Sequence, residues 1–168
     1  MRRFFSIFLI LICFSVSLGA TQRDVVNPQI ATENSSEFDW MPIINAIIQV
    51  ESKGQTHVVS KDGKCVGVLQ IQKVVVDDCN QYLSYYMKSN QKLFTYDDRY
   101  DKEKSIEMFI LIQKRYNKTN NIEKAIRIWN GGCNYSVEKT QKYYDKVIEC
   151  YNKQRVAYAT LFYFYRYL

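Results

Sequence analysis

The stretch Pro42-Ile-Ile-Asn-Ala-Ile-Ile-Gln-Val-Glu51-Ser-Lys-Gly54 decides the fold. Ile44, Ile47, Ile48 and Glu51 recur at spacings of three, one and three, the period of one helix face. Asp39 is placed to cap the first N–H groups, Pro42 suits a first turn, and Gly54 can end the helix in a left-handed conformation. The spacing therefore predicts a helix over 40–53 with Glu51 in its last turn, where an apolar residue would continue the stripe. Desolvation by the isoleucine face and the negative end of the helix dipole both favour the protonated carboxyl. An acid kept protonated near neutral pH is what a general acid requires. The same pattern also admits a Glu51 that rotates outward to solvent or pairs with Lys53, and the helix alone does not choose.

The rest of the 168 residues, 47% of them hydrophobic, suits one compact domain. Arg2 and Arg3 precede an apolar run from Phe4 to Leu18 with small residues at Ser17, Gly19 and Ala20, the pattern of a signal peptide. The run is shorter than the roughly 20 residues a membrane span needs. Cys13 lacks the small residues before it that lipid attachment requires. We therefore expect residues 1–20 to direct export to the periplasm or cell envelope, with a flexible leader over 21–37, a folded domain over 38–152, and an aromatic tail over 153–168 packed back on that domain, the alternative for the tail being an amphipathic contact with a partner or a membrane surface. Without Arg2 and Arg3 the 23 basic side chains become 21 against 17 acidic ones, a net charge of +4. Basic and acidic residues alternate, as in Asp97-Asp98-Arg99, which reads as a mixed solvated surface and not as a nucleic-acid patch. Cys65, Cys79, Cys133 and Cys150 are an even set in an exported chain, so disulfides are expected, with the pairing open. No cysteine or histidine cluster points to a metal, and no cofactor is expected. His57 is the only histidine, which removes Ser-His and Cys-His nucleophile arrangements.

Beyond the first helix, Ser60-Lys-Asp-Gly-Lys64 reads as a loop. Cys65-Val-Gly-Val-Leu-Gln-Ile71 reads as a brief strand or a buried turn, and the run from Val74 as a helix reaching Tyr86. Asp101 can cap a helix over 102–116 whose Ile106, Phe109, Ile110 and Ile112 fit a 3.6-residue period. A further helix runs from Asn121 or Ile122 to Trp129 and stops at Gly131-Gly132, where the backbone can approach a ligand closely. A last helical segment covers 138–151 and can continue into the tail.

Four segments carry a resemblance: Glu51-Ser52 at the end of an apolar helix, Gly67-Val-Leu-Gln70-Ile71, Ala125 with Trp129-Asn130-Gly131-Gly132, and Thr140-Gln-Lys-Tyr143-Tyr-Asp-Lys-Val147. Taken in this order they resemble the goose-type lysozyme and soluble lytic transglycosylase superfamily, across about 38–150. The resemblance implies a mainly α, lysozyme-like single domain with a saccharide-binding groove, acting on peptidoglycan between N-acetylmuramic acid and N-acetylglucosamine. It makes Glu51 the catalytic acid, and assigns substrate binding to Ser52, Gln70, Ile71, Trp129, Asn130 and Tyr143. Trp129 departs from the family's usual tyrosine, and its N–H can only donate. Tyr143 matches a late tyrosine whose hydroxyl reaches the catalytic carboxylate. Gln70 can instead be an amide bridging backbone groups, and Ser52 an ordinary polar residue of a last turn.

In the transglycosylase version the acid serves alone and the 6-hydroxyl of the muramyl residue closes a 1,6-anhydro ring. A hydrolytic muramidase on the same fold would need a second carboxylate, for which Asp97, Asp98 and Asp101 are the candidates. A third reading is a non-catalytic glycan-binding or assembly protein. The resemblance further implies a monomer that works locally on glycan strands, for instance beside a secretion or conjugation machine.

Overall fold

The structure is a computed structural model and describes residues 38–86 and 92–166. The chain divides into Met1–Ser35 and a compact unit Ser36–Leu168. The signal peptide and leader expected over 1–37 lie outside the described residues. The described part is helical: α1 Met41–Glu51, α2 Lys73–Tyr86, a 3-10 turn Asp97–Tyr100, α3 Lys102–Tyr116, α4 Ile122–Gly131 and α5 Val137–Arg166. Among the described residues, only the isolated bridges Val59 to Val66 and Val66 to Ile71 have extended pairing. The mainly α fold is as expected, and the ambiguous 65–71 segment is a buried turn pinned by those two bridges.

Local chemistry explains the boundaries. The Met41 N–H donates to Asp39 Oδ1 at 2.9 Å, and Lys53 and Gly54 follow α1 with φ of 55° and 84°. Asp101 and Asn121 cap α3 and α4 by accepting from the N–H of Lys104 and Lys124 at 2.9 and 2.8 Å. The isoleucine stripe of α1 buries Ile43, Ile44, Ala46, Ile47 and Ile48 against Leu69, Met108, Phe109, Ile126 and Val147. Phe109 sits between Trp40 and Trp129, with ring centroids 5.9 and 4.9 Å away. Burying such a side chain contributes about 2–3 kcal/mol, so Phe109 joins the start of α1 to the end of α4 at the centre of the core.

Three expectations are corrected. The described part of the 153–168 tail does not fold back over the domain: through Arg166 it continues α5, with Tyr158, Leu161, Phe162, Tyr163, Phe164 and Tyr165 exposed. Gln154, Arg155 and Tyr158 border the start of α1 at Asp39, Met41, Pro42 and Asn45, and beyond Tyr158 no described element covers the rings. The disulfides are not formed, and all four described thiols are free. Cys79 points into the α2–α3 interface, 3.6 Å from the Met108 carbonyl, and burial pushes its thiol up to about 12. Arg99 is not a solvated surface charge. It is 6% exposed, and its guanidinium donates to the carbonyls of Tyr96 at 2.7 Å, Ile71 at 3.2 Å and Lys64 at 3.4 Å.

Candidate active site

A cleft of about 960 Å3 opens between the end of α1, the 60–72 turn, α2 and the end of α4. Glu51, Gln70, Ile71, Trp129 and Asn130, distant in sequence, all line it. Ser52 and Tyr143 stand behind the wall. The Tyr143 hydroxyl donates to Glu51 Oε1 at 2.6 Å, while Glu51 Oε2 has no partner among the described residues. Glu51 therefore presents one oxygen held by the protein and one available to a ligand.

Burial pushes the Glu51 carboxyl up, and the Tyr143 hydrogen bond partly offsets this by favouring the carboxylate. Burial and then the charge of Glu51 push the Tyr143 phenol well above its ordinary range. Tyr143 thus stays protonated and donates, whichever form Glu51 takes. The arrangement can give a proton to a leaving oxygen and then hold the carboxylate that remains.

The cleft floor is built by backbone hydrogen bonds. Ser52 is 6% exposed, and its hydroxyl lies 2.8 Å from the Val68 carbonyl and 3.2 Å from that of Ile48. It also accepts from the Gly54 N–H at 3.1 Å. The residue after the acid thereby ties α1 to the turn that carries Gln70. Gln70 adopts φ 49°, and its amide nitrogen donates to the carbonyls of Val58 and Gly67 at 3.2 and 3.0 Å. The NH2 group thus bridges backbone, as the structural reading of this residue expects, while Gln70 also lines the cleft. Gly67, at φ 77°, packs against the 3-10 turn so closely that a Cβ would overlap the Arg99 carbonyl oxygen. That contact and the Arg99 guanidinium fix the turn from behind.

The opposite wall is the end of α4. The Trp129 indole N–H donates to the Leu69 carbonyl at 3.2 Å, so the tryptophan uses its donor to hold the Gln70 turn while lining the cleft. Asn130 is exposed at the rim, its amide unpartnered among the described residues. The two glycines differ in role. A Cβ at Gly131 would meet Thr140 Cγ2 and Tyr135 Cβ at 2.8 Å, so this glycine allows α4 and α5 to approach. Gly132, at φ 75°, has open space around it and turns the chain at the cleft edge.

Arg127, which sequence reasoning passed over, sets α5 against α4. It is 2% exposed and donates from Nη1 to the Val137 carbonyl and Thr140 Oγ1, both at 3.0 Å, and from Nη2 to Gln141 Oε1 at 2.7 Å. Its Nε donates to Glu123 Oε1 at 2.8 Å, and its guanidinium carbon lies 4.5 Å from the Tyr144 ring centroid. These bonds grip the first turns of α5 on both sides of Tyr143. The signal was present in the sequence: Arg127 stands inside the apolar run Ala125-Ile126-Arg127-Ile128, four residues after Glu123.

The acids proposed to position a water do not line the cleft. Asp98 accepts from the Thr95 N–H at 2.6 Å and Asp101 caps α3, and Asp97 shares the same 3-10 turn. The cleft's other carboxylates are Asp77 and Asp78 of α2. Asp77 accepts from the Tyr96 hydroxyl at 2.9 Å, and Asp78 pairs with Arg115 at 2.9 Å and accepts from Tyr116 at 3.0 Å. No group of His, Cys, Asp and Glu among the described residues could hold a metal ion.

No curated protein and no solved structure matches the chain. A family model does, the transglycosylase SLT domain, over residues 28–152. That span holds the cleft, Glu51 and Tyr143, and at family level it brings a lytic transglycosylase type of activity and binding of peptidoglycan. The chain belongs to the transglycosylase SLT domain family.

Proposed function

We propose that this chain is an exported peptidoglycan lytic transglycosylase in which Glu51 is the sole general acid and base. The observation that carries the reading is Glu51 itself: half-buried in the cleft lining, its pKa pushed up by burial, held on Oε1 by Tyr143 and without a described partner on Oε2. Protonated Glu51 gives its proton to the glycosidic oxygen as the bond from C1 of N-acetylmuramic acid to O4 of N-acetylglucosamine breaks. The acetamido oxygen of the muramyl residue shares the positive charge at C1. Glu51, now a carboxylate steadied by the Tyr143 hydroxyl, takes the proton from the 6-hydroxyl as O6 bonds to C1. The products are a 1,6-anhydromuramyl end and a free 4-hydroxyl, and Glu51 is protonated again. No water enters and no second carboxylate is needed, consistent with Asp77 and Asp78 being committed to Tyr96, Arg115 and Tyr116.

Around this step, the Gln70 carbonyl oxygen can accept from a sugar hydroxyl. Asn130 offers a donor and an acceptor suited to an N-acetyl group. Ile71 and Trp129 supply apolar surface for a pyranose face. Ser52 serves the site through the turn it holds. The N-terminal run beginning at Arg2 and Arg3 supports export, and action beside a secretion or conjugation machine is a compatible setting. Mass spectrometry of digested sacculi tests the reading: wild type yields anhydromuramyl ends and Glu51→Gln yields none. Reducing ends from wild type would assign a hydrolase, and equal lysis by both proteins would remove Glu51 as catalyst.

A further inference from the structure

The last turns of α5 have no role in the cleft. From Val156 to Arg166 the helix carries Tyr158, Leu161, Phe162, Tyr163, Phe164 and Tyr165, each between 55% and 80% exposed. At 100° per residue, Phe164, Leu161, Phe162 and Tyr163 face four different directions. The surface is thus apolar on all sides, unlike the single stripe that a helix shows to a protein core. Such a surface on a folded domain marks a docking site.

Charge and length narrow the occupant. No acidic residue follows Glu149 in the sequence. Lys153 is paired with Glu149 at 2.6 Å, leaving Arg155 just before the aromatic stretch and Arg166 at its end. A second copy lying antiparallel would bring Arg155 of one chain toward Arg166 of the other with no carboxylate between them. A groove or a second helix would also cover one stripe and leave the remaining rings in water. The stretch is about 16 Å long, and no described helix is long and apolar enough to cross a membrane. Tyrosine and phenylalanine flanked by arginine match the headgroup boundary of a bilayer, where rings enter the acyl edge while hydroxyls and guanidinium groups meet phosphates.

We propose that Val156–Arg166 is an interfacial anchor that docks the domain on an anionic lipid surface. It lies flat at the headgroup level, with Leu161, Phe162 and Phe164 inserted, Tyr163 opposite them with its hydroxyl among the headgroups, and Arg155 and Arg166 on lipid phosphates. The inference stands apart from the reaction assigned to Glu51, because it needs neither the cleft nor its chemistry.

The test uses the chain from Ser36 onward, a compact unit that holds the described core. It is sedimented with vesicles of phosphatidylcholine plus phosphatidylglycerol and with phosphatidylcholine alone. Wild type is expected to partition about tenfold more strongly onto the anionic vesicles and to be released by salt. Leu161→Ser, Phe162→Ser and Phe164→Ser together are expected to reduce that binding at least roughly tenfold, while the melting curve and helical circular dichroism stay those of wild type. Failure of the folded wild type to bind anionic vesicles overturns the proposal, as does binding that the three substitutions leave intact. A concentration-dependent dimer, dissolved by the same substitutions and formed without lipid, would assign the face to a second copy and overturn it too.

Discussion

The two halves of α5 are similar in composition and opposite in fate. Over Val137–Tyr151, Tyr143, Tyr144 and Tyr151 pack against the core, with Thr140 and Val147 fully buried. Over Val156–Arg166, a denser set of aromatics is exposed, and beyond Tyr158 no described element covers it. The helix itself does not change; its neighbours do. α1 and α4 flank the first half, and the Arg127 guanidinium binds it at Val137, Thr140 and Gln141. Residue type alone therefore does not decide burial on this helix. The difference separates a half that serves the cleft from a half that is available to something else.

The contrast can be broken at several points, the largest effect being at the group the first half serves. Glu51→Gln is expected to lower glycan cleavage about a thousandfold, measured as release of anhydromuramyl products. It should also stabilise the fold at neutral pH. A carboxyl whose folded pKa is raised binds its proton more tightly in the native state, so stability falls as pH climbs from 4.5 toward the folded value. Wild type should lose melting temperature across that window, and Glu51→Gln should not. A parallel loss in both proteins would mean that Glu51 is not desolvated as described.

Arg127→Ala removes the clamp and is expected to cost about 2–3 kcal/mol, since Thr140 Oγ1, Gln141 and the Val137 carbonyl lose a charged donor. Chemical denaturation reads this directly. Tyr143→Phe is expected to reduce cleavage about tenfold. The lost hydroxyl is the group that lowers the Glu51 pKa, so the alkaline limb of the pH–rate profile should move to higher pH. An alkaline limb that moves down would show that the phenol acts otherwise. The smallest change belongs to the far half: Leu161→Ser, Phe162→Ser and Phe164→Ser together should alter stability by no more than about 0.5 kcal/mol. A larger loss would show that these rings do pack on the domain.

Much of this arrangement was legible in the sequence where one local rule acted. The 3.6-residue stripe of α1, the Asp39 and Asp101 caps and the glycine stop after Trp129 each depend on neighbours a few residues away. The candidate site was legible through its segment order, which set Glu51, Gln70, Trp129, Asn130 and Tyr143 in one constellation. What escaped depends on contacts across the fold. Arg99 looks like a surface charge, because its partners are backbone carbonyls whose positions only the packed fold defines, and Arg127, though set in an apolar run, does not reveal its partners on α5. The sequence leaves Ser52 open between a ligand contact and a polar residue of a last turn, and does not reveal that its hydroxyl meets the Val68 carbonyl, 16 residues on. The even cysteine count invited pairing, but Cys79 faces the α2–α3 interface. The hydrophobicity of the tail fits both packing on the domain and contact with a partner or membrane, because composition does not state whether a neighbouring element is within reach.

The hydrogen bond from Tyr143 to Glu51 spans 92 residues of sequence. Contacts of that separation close late, after the loops between them have been ordered. Until α5 docks, the Tyr143 hydroxyl is not beside Glu51, and the carboxyl lacks the burial that this helix contributes to raising its pKa. A chain whose α5 is not yet docked therefore lacks both the full burial and the hydroxyl that together set Glu51. Its reactivity switches on with the completion of the fold.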